Sequence, residues 1–174
     1  TSPQTLQAVD APGLDDGVLL LVPDAHGRRR AALLRAITDR AATAGPARPW
    51  HDVRASFDRA LRARDAGLTG DTETHLVALV LSADPAALTD LRARALAPLD
   101  ELRPATRDKL AETLRAWLLL QGRRDEVAEA LFVHPQTVRY RMGQLREAFG
   151  DRLDDPEEVL ALTIALGSPV ALRP

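Results

Sequence analysis

Residues 123–150, RRDEVAEALFVHPQTVRYRMGQLREAFG, constrain this chain more than any other stretch, because two short helical patterns meet there at a tight turn. Asp125 and Glu126 put negative charge in the opening turn of a first helix, where the exposed amide ends favour it, and Val127, Ala128 and Leu131 follow as one apolar stripe. Two helices that cross within a few residues of a turn need a small side chain at the crossing, and Ala128 supplies it without glycine's helix penalty. Phe132 and Val133 fill the turn, His134 is placed to cap the next helix, and Pro135 fits its first position, where no amide hydrogen bond is lost. From there Val138, Met142, Leu145 and Phe149 recur at steps of four, three and four, which is one buried helix face. Gly150 is placed to stop that helix in the left-handed conformation. Phe132 stands where many such turns hold glycine, which predicts a turn longer or wider than the shortest kind.

The opposite face of the second helix reads Gln136, Arg139, Tyr140, Gly143 and Arg146. Between His134 and Arg146 stand Arg139, Arg141 and Arg146 and no acidic residue, a pattern suited to a helix lying between two rows of phosphates in a major groove. Arginine and glutamine also have the forked geometry that fits guanine and adenine edges. An ordinary solvated helix face and a purely structural helical hairpin are the competing readings of the same residues. Arg141 lies between the buried and exposed faces, so bracing of the fold competes with DNA contact at that position.

The segment from Leu110 to Leu166 resembles the C-terminal helix-turn-helix domain of the PucR/CdaR-type bacterial transcription regulators, the purine-catabolism and sugar-diacid regulator family. Four motifs carry the resemblance: TL-x-x-W/Y-L at Thr113 to Leu118, A-x-x-L at Ala128 to Leu131, V-H-x-x-T-V-x-Y-R at Val133 to Arg141, and D-x-L-x-D-P at Asp151 to Pro156. The resemblance implies that His134, Gln136, Thr137, Arg139, Tyr140 and Arg141 form the recognition-helix region, to which the helix face adds Arg146. It also implies a preceding degenerate GGDEF-like α/β domain. The run GVLLLVP at Gly17 to Pro23, a following helix, and W-x-x-V-x-x-S-F at Trp50 to Phe57 look like the end of one. No GGDEF-type catalytic signature and no nucleotide-binding glycine loop accompanies them, so cyclase chemistry is not carried over.

Upstream of the reader the patterns are less even. Residues 1–16 hold three proline or glycine breakers and few apolar residues and read as loosely ordered. With the missing initiator Met, they suggest the C-terminal part of a longer protein. Gly17 to Val22 reads as a strand buried on both faces, whose partners come from the N-terminal segments or belong to a truncated sheet. Helices are expected over 28–44, over 49–67 and from Pro85 after the Ser82-Ala83-Asp84 start, while 76–81 reads as a strand or a short helix, with sparse β-branching favouring the helix. Residues 99–104 read as a linker, and a long helix over 106–121 then braces the reader, with Leu110, Leu114, Trp117 and Leu118 inward. Asp155-Pro156-Glu157-Glu158 supplies a cap, a first-turn proline and a capping-box acid. The helix behind it, 159–166, is apolar nearly all round and should bury two faces, one on the bundle and one on a second copy or the N-terminal part.

With 45% hydrophobic and 28% charged residues the chain reads as globular, and a net charge of −2 means that any nucleic-acid surface is local. The absence of cysteine excludes disulfides, thiolate metal sites and a cysteine nucleophile. His26, His51, His75 and His134 are scattered without metal-ligand spacing, and no nucleophile elbow or P-loop is present. His51 beside Trp50 and near Asp58 is a candidate effector-pocket residue or, more simply, part of a packed helix start. The expected fold is mainly α, a C-terminal helix-turn-helix bundle over 99–174 behind a small, truncated α/β segment and helical linker over 1–98. The expected function is a cytoplasmic, non-enzymatic transcription regulator without cofactor, metal site or membrane span. Its partners would be double-stranded DNA, a second copy as homodimer, and an unknown small-molecule effector sensed upstream. The rival is a helical protein-interaction or effector-sensing module without DNA binding.

Overall fold

Proline and glycine cut the chain into short segments, and in the computed structural model, which describes residues 5–9, 11–14 and 17–167, those segments form two compact units, Thr1–Ser82 and Ala83–Pro174. Helix dominates among the described residues, so the fold is mainly α.

In the first unit, strand β1 (Leu6–Ala8) pairs antiparallel with β2 (Leu19–Leu21), Leu6 opposite Leu21. The N-terminal segment expected to be loose thus supplies a partner strand. The expectation that Gly17 to Val22 is buried on both faces is not met. Leu20 is 44% exposed and its neighbours are half-buried, because a two-stranded ladder has too little surface to cover both sides of a strand. Helix α1 (Gly27–Ile37) is shorter than expected: Asp39 takes a positive φ just beyond it, and Thr43–Ala44 instead forms β3, parallel to β4 (Gly70–Asp71). Arg30 ties α1 to that ladder, donating to the Gly45 carbonyl at 3.0 Å and pairing with Asp71 and Glu73. Trp50–Asp52 makes a single 3-10 turn before α2 (Val53–Asp65), and α3 (Leu76–Leu81) is helical as expected. Only a glycine fits at 45, since a Cβ there would meet the Ser56 carbonyl oxygen at 2.3 Å.

Among its described residues the second unit is a bundle of five α-helices. Asp84 accepts a hydrogen bond from the Ala87 amide at 2.9 Å and Pro85 occupies the first position, which together start α4 (Pro85–Leu96). Then come α5 (Pro104–Leu119), α6 (Arg124–Ala130), α7 (Pro135–Phe149) and α8 (Pro156–Gly167). Helix α5 packs on α6, α7 and α8, and α4 packs on α8. Leu99, Leu110, Leu114, Val127, Val138, Leu145, Leu162 and Leu166 are almost wholly withdrawn from solvent and belong to one continuous core.

This packing changes two expectations. Residues 99–104 are not a free linker: Leu99, inside the 3-10 turn Ala97–Leu99, is completely buried. Helix α4, with Ala95 buried and the Arg92 Nε donating to the Ala165 carbonyl at 3.1 Å, belongs to the bundle. The compact units therefore divide between Ser82 and Ala83 rather than at 98/99.

Around α8, Asp155 caps the helix by accepting from the Glu157 amide at 2.8 Å. Glu158 does not close a capping box; its Oε2 accepts from the Arg152 Nη2 at 2.6 Å and Nε at 3.0 Å. Leu162, Ala165 and Leu166 are buried, Ile164 is half-buried, and only Leu160, 60% exposed, keeps the second apolar face open.

Candidate nucleic-acid interface

Helix α6 packs on α7 through the stripe read from sequence: Val127 and Ala128 are buried and Leu131 is half-buried. Its C-terminus is closed by two backbone hydrogen bonds, the Val133 amide to the Ala128 carbonyl at 2.9 Å and the Phe132 amide to the Glu129 carbonyl at 3.1 Å. That is the Schellman arrangement, which places one residue in the left-handed region, usually glycine. Here the residue is Phe132, with φ +53°. The turn is therefore short, spanning 131–134, and not the longer one expected; the phenylalanine adopts the glycine conformation instead of widening the loop.

His134 then caps α7, its Nδ1 accepting from the Gln136 amide at 3.1 Å, and Pro135 is the first helical residue. Val138, Met142, Leu145 and Phe149 are all buried, which fixes the rotation of α7 about its own axis. The helix stops at Gly150, whose φ of 55° and ψ of −137° form a positive-φ, extended combination open to glycine but not the left-handed helical one.

With the buried face fixed, Gln136, Arg139, Tyr140 and Arg146 stand exposed, and Tyr140 is 66% accessible. Thr137 and Gly143 are half-buried at the flank of the same surface. A Cβ added at Gly143 would meet nothing within 4 Å, so packing inside the chain does not require glycine there. At the start of α6, Arg123 pairs with Glu126 and Arg124 with Asp125. Arg139 and Arg146 form no ion pair among the described residues, which leaves both guanidinium groups available to an anion.

Arg141 is placed differently. It is half-buried, and its Nη1 donates to the Thr113 Oγ1 at 3.1 Å; Thr113, fully buried on α5, donates in turn to the Lys109 carbonyl at 2.7 Å. The expected residues thus separate into exposed groups (Gln136, Arg139, Tyr140, Arg146), a helix cap (His134) and a strut to α5 (Arg141). Sequence does not single out Thr113 as part of this surface, although it opens the TL-x-x-W/Y-L motif; its signal is a polar residue at a helix position flanked by inward Leu110 and Leu114. Phe132 reads in sequence as a turn filler at a place that many such turns give to glycine.

Among its described residues the first unit offers no comparable cluster. A cleft in it is lined by apolar groups such as Leu33, Ile37, Phe57 and Leu61, and the arginine at its edge, Arg64, is occupied by the Gly13 carbonyl and Asp65. Among the described residues no helix is long and apolar enough to cross a membrane.

Comparison with known proteins finds similarity within the second unit. Over 62 residues the chain is 39% identical to a Thermomonospora curvata protein described as uncharacterized, in the pkwA 5' region, a match covering 36% of this chain and 34% of that one. Over 85 residues it is 34% identical to uncharacterized proteins of Mycobacterium bovis and Mycobacterium tuberculosis, covering 49% of this chain and 20% of theirs. The chain therefore matches about a third or less of the length of these relatives. No solved structure matches it significantly. Residues 110–167, from the middle of α5 to the end of α8, match the family model of the PucR C-terminal helix-turn-helix domain.

Proposed function

We propose that the chain is a sequence-specific DNA-binding transcription regulator and that α7 is its recognition helix, lying in the major groove. The observation that carries this reading is the exposed face of α7, where Arg139 and Arg146 stand without acidic partners beside Gln136 and Tyr140, inside a matched helix-turn-helix domain. On this reading Gln136, near the N-terminus of α7, and Arg139 contact base edges, Tyr140 adds a hydroxyl or ring contact, and Arg146 holds a phosphate. Thr137 lies at the flank, within reach of the backbone. His134 and Arg141 act on the helix itself: one sets its start, the other braces it against α5. Gly143 supports close approach, since a helix interior that keeps glycine without an internal packing reason leaves room for an outside surface.

A net charge of −2 makes the interaction depend on this one face. Bound as a two-fold dimer, the chain would read half-sites about one helical turn apart. No catalytic role is assigned, and the GGDEF-like origin of residues 1–98 rests on the Gly17–Pro23 and Trp50–Phe57 motifs alone.

The test is fluorescence anisotropy of the chain with duplexes selected from a random library, at low and near-physiological salt. Sequence-selective binding that weakens steeply with salt is expected. Arg139→Ala should cost about 1–3 kcal/mol and relax the preference at one base pair, whereas Arg146→Ala should weaken all duplexes alike and flatten the salt dependence. Failure to enrich any sequence would overturn the assignment and return the bundle to the interaction-module reading.

A further inference from the structure

Phe132 is 97% exposed, the most accessible of the large apolar side chains among the described residues, and it holds a left-handed backbone conformation that is sterically unfavourable for any residue with a Cβ. Both features run against folding. Glycine would relieve the backbone, and a polar residue would remove the exposed ring, so nothing among the described residues accounts for phenylalanine here. In the Schellman turn described after α5 the matching left-handed position holds Gln121, at φ +52°, which also carries a Cβ but is polar, so the exposed apolar ring is what sets Phe132 apart. A residue held in a costly conformation and covered by none of the described residues is best explained by a partner that covers it.

Position identifies the partner. Phe132 sits in the short turn that delivers His134 and Pro135 to the N-terminus of α7, the end of a recognition helix that lies nearest the base edges. The exposed residues adjoining it are Glu129, Ala130, His134 and Gln136, so the ring is a lone apolar group in mostly polar surroundings and not part of a patch large enough to dock a protein. The major groove offers one apolar group along its floor, the C5-methyl of thymine, and phenylalanine is among the side chains that pack on it. Resting on the DNA-binding reading above, we propose that Phe132 is a specificity-determining residue whose ring packs on a thymine methyl group at the edge of the groove entered by α7.

Two substitutions isolate the ring, Phe132→Gly and Phe132→Asn, because both residues tolerate the left-handed conformation. Their thermal midpoints should equal or exceed that of the parent chain, which shows that the turn is intact. Measured on a duplex selected with the parent chain, affinity should fall about tenfold, the size of one good apolar or hydrogen-bonded contact, with the salt dependence unchanged because no charge is lost. Replacing thymines in that duplex one at a time with uracil should weaken the parent at one position by a similar factor and leave the Phe132→Gly chain indifferent at that position. If Arg139→Ala weakens binding but both Phe132 variants bind like the parent, the proposal fails while the DNA-binding reading stands. Loss of self-association in the Phe132 variants without loss of affinity for DNA would overturn it in favour of a second copy as the partner. If the parent selects no duplex, both readings fall together.

Discussion

Thr113 and Arg141 show how a single buried hydroxyl can aim a surface. Arg141 leaves the exposed face of α7 and reaches α5, where the Thr113 hydroxyl accepts its hydrogen bond and donates its own proton to the Lys109 carbonyl. Both hydroxyl functions are used, so the buried oxygen is satisfied and the guanidinium has a fixed anchor. Thr113→Val keeps the volume and removes the anchor. Hydrogen bonds to charged groups are worth about 1.5–3 kcal/mol, and denaturant unfolding should show a stability loss of that order. Affinity for DNA should fall as well, although Thr113 is fully buried and touches no ligand. Unchanged stability in this variant would instead mean that Arg141 does its work outside the bundle. Sequence could place Arg141 between two faces and leave both roles open, because helical periodicity assigns angles and not partners. Phe132 was opaque for a related reason: the rule that such turns hold glycine says what is cheap, and a longer loop and a strained residue are equally good ways of breaking it.

The helices of the reader were legible almost to the residue. Proline at the first position and buried residues at steps of four, three and four are local signals, and α7 begins at Pro135 and buries Val138, Met142, Leu145 and Phe149 as they require. Strand β2 was less so, since an apolar run reports that a segment dislikes water but not how many strands cover it. The same limit applies to α8, whose second apolar face depends on which neighbours arrive; α4 and α5 both do. At the crossing of α6 and α7 the constraint is volume. Ala128 is 3% exposed where the two helices meet, and Ala128→Leu must push them apart or distort the Schellman turn that starts from its own carbonyl. Overpacking of this kind costs about 1–3 kcal/mol, and here the expected loss in thermal midpoint should be accompanied by weaker DNA binding, because the displaced helix is the one proposed to enter the groove. Ala128→Gly, which fits the space, should lower stability by only about 1 kcal/mol and leave the preferred sequence unchanged.

At the scale of the whole molecule the decisive question is where the C-terminal unit begins. Sequence puts the boundary before Leu99, because Pro98 breaks a helical pattern and residues 99–104 look like a connection. A proline marks where a helix must stop, however, and says nothing about whether the stopped helix packs on later helices. In the fold it does. Helix α4 lies along α8, buries Ala95, and carries the Arg92 side chain to the carbonyl of Ala165, while Arg115 on α5 reaches the neighbouring carbonyl of Leu166 at 2.9 Å. Helix α8 has few polar groups along its length and depends on α4 and α5 to cover it. A fragment beginning at Ala83 should therefore melt cooperatively as a unit. One beginning at Leu99 should lose the α4 contact, uncover the sides of Leu162 and Ala165, and melt at a distinctly lower temperature, with increased binding of a hydrophobic dye. The two fragments have the same α6 and α7. If the shorter one keeps the thermal midpoint of the longer, α4 is an ornament on the bundle and the boundary at Ser82/Ala83 has no energetic meaning. If it melts lower yet still binds the selected duplex when cooled, α4 supports the domain by burying α8, and the surface that meets DNA is confined to the helices after it.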